Sequence, residues 1–189
     1  MVIGILVLCV VIVLVSWVIS VYNGLVQLKV RTDNAWSDID VQLKRRYDVI
    51  PNIVATVEGY AKHERTTLQS VIEARTKAMS ATGVADKGQT ENFLSNTLKS
   101  LFAVAERYPD LKASENFLKL QTSLIEIEET IQSARRYYNA VVRDLNTMIQ
   151  MFPASIIAGA FNFRIREFFQ LNTPEVERQA PQVKINLQN

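Results

Sequence analysis

Residue types that build catalytic and metal sites are scarce in this chain. Its 189 residues include one cysteine and one histidine. The single cysteine, Cys9, excludes an intramolecular disulfide and a cysteine metal cluster. A zinc peptidase motif needs two histidines one helical turn apart, so His63-Glu64 does not qualify, and no glycine-rich phosphate loop or nucleophile–base set is present. The sequence therefore predicts a protein without catalytic residues, metal or cofactor.

A strong excess of one charge is also absent. Twenty-one basic and 19 acidic residues leave a net charge of +2. Nucleic-acid-binding proteins normally concentrate a basic excess on one face. The only basic cluster here is Lys44-Arg45-Arg46, for which a solvated helix face or internal ion pairs are the simpler explanation. No nucleic-acid partner is predicted.

Apolar sequence, by contrast, is abundant at the start of the chain. No charged side chain precedes Lys29, and Val2–Val21 is almost wholly apolar. About 20 such residues in a helix span a hydrocarbon core of roughly 30 Å. A cleaved signal peptide would need a basic start, a shorter run and a small-residue cleavage site. We therefore expect residues 1–24 to be a retained transmembrane anchor, with Trp17 near the interface.

The orientation of this anchor is predicted from the charges beside it. Lys29 and Arg31 follow the apolar run, and no basic side chain precedes it. The positive-inside rule therefore places the C-terminal domain in the cytoplasm. Asp33 accompanies the two basic residues and weakens the signal, which leaves the outside-facing alternative open.

The clearest periodicity lies late in the chain, where apolar residues alternate at spacings of three and four over about five heptads. They are Phe117, Leu120, Leu124, Ile127, Ile131, Ala134, Tyr138, Val141, Leu145, Met148 and Phe152. The pattern is typical of a long helix packed in a left-handed bundle. Ser114 is its predicted N-cap, and Pro153 ends it.

Shorter patterns predict three earlier helices. The first continues from the anchor to about Tyr47, and Pro51 suggests a stop and a new start. The second extends to about Ala78 and is followed by a loop over residues 81–88. The third runs from about Thr90 to Tyr108.

These elements predict an all-α fold, in which an N-terminal transmembrane helix leads into an antiparallel up-and-down four-helix bundle over residues 25–152. Because the anchor leads away from the membrane, the fourth helix should return toward it. This prediction of the fourth helix's direction fails if Pro51 only kinks one long helix. An apolar C-terminal segment, residues 153–171, is then expected near the membrane, and residues 172–189 are expected to form an extended tail.

The C-terminal segment combines aromatic rings with arginines. The candidate contacts with membrane or a neighbouring subunit are Phe161, Phe163, Arg164, Arg166, Phe168 and Phe169. An interfacial helix would bury the rings at the acyl boundary while the arginines reach headgroups. A short cap over the end of the bundle is an equally good interpretation, and the sequence leaves both open.

Two charges occupy helix positions that should face the core. Glu64 and Arg75 continue the three-four spacing of Val54, Val57, Ala61, Leu68 and Val71. A buried charge is costly unless it is paired and hydrogen-bonded. Candidate partners on neighbouring helices are Lys44, Arg45, Arg46, Glu128 and Arg135. Glu64, Arg75 and Arg135 are the predicted polar core network. A network that fixes the register of the bundle is the favoured interpretation, and a sensing or ion-binding site is the alternative.

The whole chain resembles one bacterial family, the LemA family. The resemblance is carried by Tyr22–Val26, Ala35–Arg46, Asp48–Val54, Gly59–Glu64, Ala74-Arg75, Ala105–Ala113, Ala134–Asn139, Phe168-Phe169 and Ala180–Val183. It implies a fold similar to up-and-down four-helix bundles and membrane association through the N-terminus. A relative takes part in building magnetosome membranes, and others are linked to envelope stress. The resemblance implies no enzymatic activity or cofactor.

The expected protein is a non-catalytic scaffold or adaptor of the bacterial envelope, anchored by a single pass in the cytoplasmic (inner) membrane and acting in membrane organisation or envelope stress. The alternative is a membrane-tethered sensor or enzyme that uses a polar site around Glu64 and Arg75. The expected partners are the lipid bilayer and other membrane proteins, and self-association is left open. A closed core with every charge paired would favour the scaffold, whereas a solvent-reached cavity lined by Glu64 and Arg75 would favour the sensor.

Overall fold

The computed structural model describes residues 2–170, which form six helices and no strand. The helices are α1 (Val2–Tyr60), α2 (Arg65–Ser80), α3 (Val84–Ala105), α4 (Pro109–Lys112), α5 (Glu115–Gln150) and α6 (Ala154–Ala160). The predicted all-α fold class, with a long apolar N-terminal helix, is confirmed.

Helix α1 joins the apolar start of the chain to the helical core without a break. Its most apolar stretch is not buried in the fold, and α1 is the one helix among residues 2–170 that is long and apolar enough to cross a membrane. Beyond it, α1 buries residues at spacings of three and four, among them Leu43, Arg46, Ile50 and Ile53. These spacings align one face of the helix with the core.

The predicted helix boundary at Pro51 is wrong. Pro51 lies inside α1, which continues to Tyr60, and the break comes at residues 61–64. A proline within a helix removes the hydrogen bond to the carbonyl four residues earlier, here that of Tyr47. The Nε of Arg75, on α2, donates to that carbonyl at 2.7 Å. A side chain from the neighbouring helix thus supplies the hydrogen bond that Pro51 lacks.

Helices α1 and α5 lie side by side and antiparallel. Ring or polar contacts join Trp36 to Tyr138, Arg46 to Glu128 and Thr56 to Asn116, so residue numbers rise along α1 as they fall along α5. The last turn of α5 reaches Gly24, where an added Cβ would lie 2.9 Å from the Met148 Cε. The fourth long helix therefore returns to the foot of the apolar stretch, as expected. The predicted direction of the fourth helix is correct because the chain still reverses once between α1 and α2, at residues 61–64 instead of at Pro51.

Helices α2 and α3 complete one core with α1 and α5. They are joined by a short turn in which Gly83 has φ +83°, a conformation that favours glycine. Helix α3 begins at Val84, so the predicted loop over residues 81–88 is too long. The shared core takes buried residues from all four long helices, for example Ile39, Val71, Leu98 and Leu124.

The apolar stripe of α5 and its N-cap are confirmed. The Ser114 Oγ accepts a hydrogen bond from the Phe117 N–H at 3.5 Å, and α5 ends at Gln150, just before Pro153. The stripe positions are buried or partly buried except Phe152, whose side chain is 78% exposed. Phe152 lies beyond the helix and so no longer follows its periodicity.

After α6, residues 161–170 form an extended C-terminal strap along α1 and α5. Two asparagines of α5 hold it. Asn139 accepts from the Phe169 N–H at 2.9 Å and donates to the Phe169 carbonyl at 3.1 Å. Asn146, seven residues later, pairs in the same way with the backbone of Arg166, at 2.8 and 2.9 Å. The strap therefore climbs away from the apolar stretch. The expected tail over residues 172–189 lies outside the described residues.

Candidate functional site: a buried ionic cluster

The most unusual polar feature is a guanidinium within the helical core. The Arg46 side chain is 2% exposed and forms ion pairs with Glu91 at 2.8 Å and with Glu128 at 2.7 Å. It also donates to the Ser95 hydroxyl at 2.8 Å. Because Arg46 belongs to α1, Glu91 and Ser95 to α3, and Glu128 to α5, the cluster connects three helices.

Tyr47 adds a further hydrogen bond to this ionic cluster. Its hydroxyl donates to the Glu91 carboxylate and lies 3.3 Å from the Ala78 carbonyl at the end of α2. Burial raises the pKa of Glu91, although Arg46 and the Tyr47 hydrogen bond act in the opposite direction. Burial and the adjacent Glu91 charge raise the pKa of Tyr47 far above its ordinary value. The phenol therefore remains a proton donor across the physiological range.

Arg135 and Phe169 close the outer side of the cluster. The Arg135 guanidinium lies 5.0 Å from the centre of the Phe169 ring, and burial lowers its pKa. The space among Arg46, Glu91, Glu128 and these two residues is about 10 Å³, roughly room for one water molecule. It opens on the side of Glu128, whose side chain is 33% exposed. Among residues 2–170, the Nε atoms of Arg46 and Arg135 have no hydrogen-bond partner. The cluster is thus compact and nearly fully paired, and it is buried on the side of Arg46 and Glu91.

The structure does not bring the three residues of the expected polar core network together. Glu64 pairs with Arg107 at 2.9 Å at the opposite end of the helices, where the side chains are 22% and 63% exposed. Arg75 bonds the Tyr47 carbonyl, and Arg135 alone borders the buried cluster. The expectation assumed that one helix continues from Val54 to Ala78, whereas the break at residues 61–64 shifts the register between Val57 and Leu68.

The spacing used to select Glu64 would also have found the residues of the actual cluster. Arg46 lies between Leu43 and Ile50 in the buried series of α1, and Glu91 precedes Leu94 in that of α3. Each is a charge at an apolar helix position. The Lys44-Arg45-Arg46 triplet is divided, because Lys44 and Arg45 are exposed while Arg46 is buried.

The six residues expected to contact membrane or a second subunit lie in different surroundings. Phe169 is 1% exposed and packs against Trp36, with ring centres 5.6 Å apart. Phe163 is half-buried against Tyr22, and Arg166 pairs with Asp33 at 2.8 Å. The remaining three side chains, those of Phe161, Arg164 and Phe168, are exposed.

An exposed apolar patch surrounds the end of α5 and the start of the strap. Its members are Met151, Phe152, Ile156, Phe161 and Ile165, each at least 55% exposed. The Phe161 ring lies 4.7 Å from that of Tyr22, at the end of the apolar stretch of α1. Phe161 therefore joins this apolar patch to the end of the bare apolar stretch.

Comparison with known proteins places these features in one family. The sequence profile of the LemA family matches residues 35–185, a range that contains the ionic cluster and the strap. The chain is 26% identical over 176 residues to each of two magnetosome proteins, MamQ 1 and MamQ 2, of Paramagnetospirillum magneticum, with 79% of this chain and 64% of each relative covered. It is 29% identical over 161 residues to the protein LemA of Metamycoplasma hominis, with 82% of this chain and 71% of that protein covered. The match thus spans less than two thirds of the magnetosome proteins. None of these names denotes a catalytic activity.

Proposed function

Because the chain belongs to the LemA family, we propose that it is a non-catalytic, membrane-anchored scaffold or adaptor of the bacterial envelope. The names of its relatives refer to a family or to a cellular structure, the magnetosome, and not to a reaction. The compact ionic cluster favours the same role, since its charged groups are already engaged with one another.

The continuity of α1 is the observation that carries this proposal. One helix of 59 residues includes both the bare apolar stretch and the buried residues with which α1 packs in the core. A continuous helix transmits position and orientation, whereas a flexible linker would uncouple them. Once the apolar stretch crosses a bilayer, the helical core is held at a fixed distance from that bilayer, as a scaffold requires.

The apolar patch at the foot of the core extends the proposed membrane contact. We place Met151, Phe152, Ile156, Phe161 and Ile165 against lipid or a neighbouring subunit, because exposed apolar patches of this kind mark interaction surfaces. Arg164 is exposed beside them and is suited to an anionic headgroup. Phe169 is excluded from this contact because it is buried.

The proposal places the helical core in the cytoplasm, since Lys29 and Arg31 follow the apolar stretch directly. A reporter enzyme that is active only outside the cytoplasm, fused after Asn189, should be inactive. A cytoplasm-dependent reporter at the same position should be active. The opposite pair of results would reverse the orientation and leave the anchor itself intact.

The scaffold role is tested by proximity labelling in native membranes. The full chain carries the labelling enzyme after Asn189, and an unrelated single-span protein with the same enzyme serves as the control. We expect the full chain to label a distinct set of membrane proteins, and the Leu124→Asp variant, whose core is disrupted, to lose that set. A labelled set indistinguishable from that of the control would contradict the scaffold role.

A further inference from the structure

A groove of about 560 Å³ separates the end of α5 from the anchor portion of α1. Trp17, Val21 and Leu28 of α1 face Thr147 and Met148 of α5, and Met151 just after α5, across it. A volume of this size lies within the roughly 300–1,000 Å³ of typical ligand sites. Its walls are mainly apolar, and the two methionines are flexible enough to adapt to a hydrocarbon chain.

The position of the groove indicates the source of its occupant. Trp17 and Val21 belong to the apolar stretch that we propose to cross the bilayer, so the groove opens directly into the lipid. Arg143 lies eight residues before Met151, about 12 Å away at 1.5 Å per residue, and on the side of the groove farther from that stretch. A lipid could therefore remain in its own leaflet while it lies between the two helices.

The far end of the groove carries one charge of each sign. Arg143 and Asp144 both line it, and within residues 2–170 neither forms an ion pair. A guanidinium binds phosphate oxygens well, whereas a carboxylate accepts hydrogen bonds from a primary ammonium. A headgroup that contains both a phosphate and an amine complements this pair better than a purely anionic one.

We propose that the groove is a binding site for one phosphatidylethanolamine molecule. An acyl chain lies between Trp17 and Met148, the phosphate contacts Arg143, and the amine contacts Asp144. This inference rests on the proposed membrane anchoring, and it adds one defined lipid site beside the apolar patch.

The test uses the full-length chain in vesicles that contain phosphatidylethanolamine with a photoactivatable group on its acyl chain. After illumination, peptide mass spectrometry should find adducts both on the apolar stretch of α1 and on residues 147–151. Thr147→Trp fills the groove and should lower the α5 adducts several-fold while leaving the α1 adducts unchanged. Thr130→Trp, on the exposed surface of the same helix, is the matched control and should alter neither.

A second set of variants tests the headgroup. Arg143→Gln should lower the α5 adducts about fivefold, the loss expected for one basic residue at a lipid surface. Arg136→Gln is the control, because Arg136 is exposed one heptad earlier on α5 and lies outside the groove. Photoactivatable phosphatidylglycerol, which has the phosphate but no amine, should label α5 less than phosphatidylethanolamine does.

Each other outcome overturns a defined part of the argument. Labelling of α1 without α5 would refute the groove site and leave the anchor standing, whereas labelling of neither would refute the anchor as well. In a parallel sample with a photoactivatable amino acid at position 147, crosslinks between two copies would show that a second chain occupies the groove and would refute the lipid site. Stronger labelling by phosphatidylglycerol would refute the headgroup assignment.

Discussion

The Arg46–Glu91 and Arg107–Glu64 pairs are almost equal in length, at 2.8 and 2.9 Å, but lie in opposite surroundings. The first pair is 2% and 3% exposed, and the second is 63% and 22% exposed. Arg46 has further partners on α3 and α5, whereas Arg107 lies in the turn after α3. Both pairs join an arginine to a glutamate at nearly the same distance, so any difference in their contribution to stability comes from burial.

Burial changes what the loss of one partner does. At the surface, water replaces a lost partner, and an exposed pair contributes about 0–1 kcal/mol. In the core, removing one charge leaves the other without compensation, which destabilises by about 3–5 kcal/mol. The same contrast recurs between neighbouring residues elsewhere in this molecule, and it can be tested with pairs of matched substitutions.

The largest expected effect is that of a charge placed in the core stripe of α5. Leu124→Asp should unfold the helical core, because an unpaired buried carboxylate costs several kcal/mol out of a typical total of about 5–15 kcal/mol. Ile127→Asp should act in the same direction but more weakly, since Ile127 is only partly buried. Thermal unfolding in detergent, followed by circular dichroism, measures both. Ile125→Asp, at a side chain 52% exposed, is the control, and equal melting of the Leu124 and Ile125 variants would contradict the assigned stripe.

The next effect compares the two ion pairs directly. Arg46→Met should lower the free energy of unfolding by about 3–5 kcal/mol, because Glu91 and Glu128 lose their shared partner. Arg107→Met should lower it by at most about 1 kcal/mol. Urea titration of both variants in the same detergent gives the two values. Similar losses for the two would show that the ionic cluster is not buried as described.

A smaller effect is expected in the strap, where adjacent phenylalanines differ in exposure. Phe169→Ala should destabilise by about 3 kcal/mol, the lower end for a buried phenylalanine, because the strap can detach without unfolding the helices. Phe168 is 40% exposed, so Phe168→Ala should change stability by about 0.5 kcal/mol or less. The backbone N–H of residue 169 donates a hydrogen bond to Asn139, and its hydrogen exchange should speed up in the Phe169→Ala variant only. Equal protection in both variants would argue against a docked strap.

The smallest effect concerns the hydrogen bond that Arg75 supplies beside Pro51. Arg75→Met leaves the Tyr47 carbonyl unpaired and should cost about 1–3 kcal/mol. In a Pro51→Ala background, the restored backbone N–H can bond that carbonyl, so the same substitution should cost less. A double-mutant cycle measures this coupling. Additive losses would mean that Arg75 stabilises the fold by another route.

Two parts of the fold followed directly from sequence pattern. The apolar run and the α5 stripe were found because each is a regular property of consecutive residues, and Ser114 was found because an N-cap is a local signal. Arg46 and Glu128 were predicted only as possible partners of Glu64 and Arg75, and Glu91 was missed although it obeys the same spacing as Glu64. Spacing identifies a charge that faces the core, but the partner that makes it tolerable lies on another helix.

The wrong helix boundary at Pro51 and the missed packing of the strap have the same origin. A proline normally ends a helix because the carbonyl four residues earlier loses its hydrogen bond. Nothing near Pro51 in the sequence reveals that Arg75 will donate a hydrogen bond to that carbonyl. The pairing of Asn139 and Asn146 with an extended strap likewise depends on backbone that lies 20 or more residues away. Neither contact is encoded by a local pattern.

The sequence by itself determined where this protein is apolar without interruption and where it is apolar with a helical period, and those two patterns specify a bare apolar stretch and a packed core. They act through transfer free energy and side-chain spacing, which are summed along the chain. Only the tertiary structure decided that Arg46 is buried while Arg45 is not, that α1 runs through Pro51, and that Phe169 is covered while Phe168 is exposed. Those outcomes depend on groups brought together from distant parts of the chain, because the stability of a charge, a carbonyl or a ring is set by what replaces the water around it.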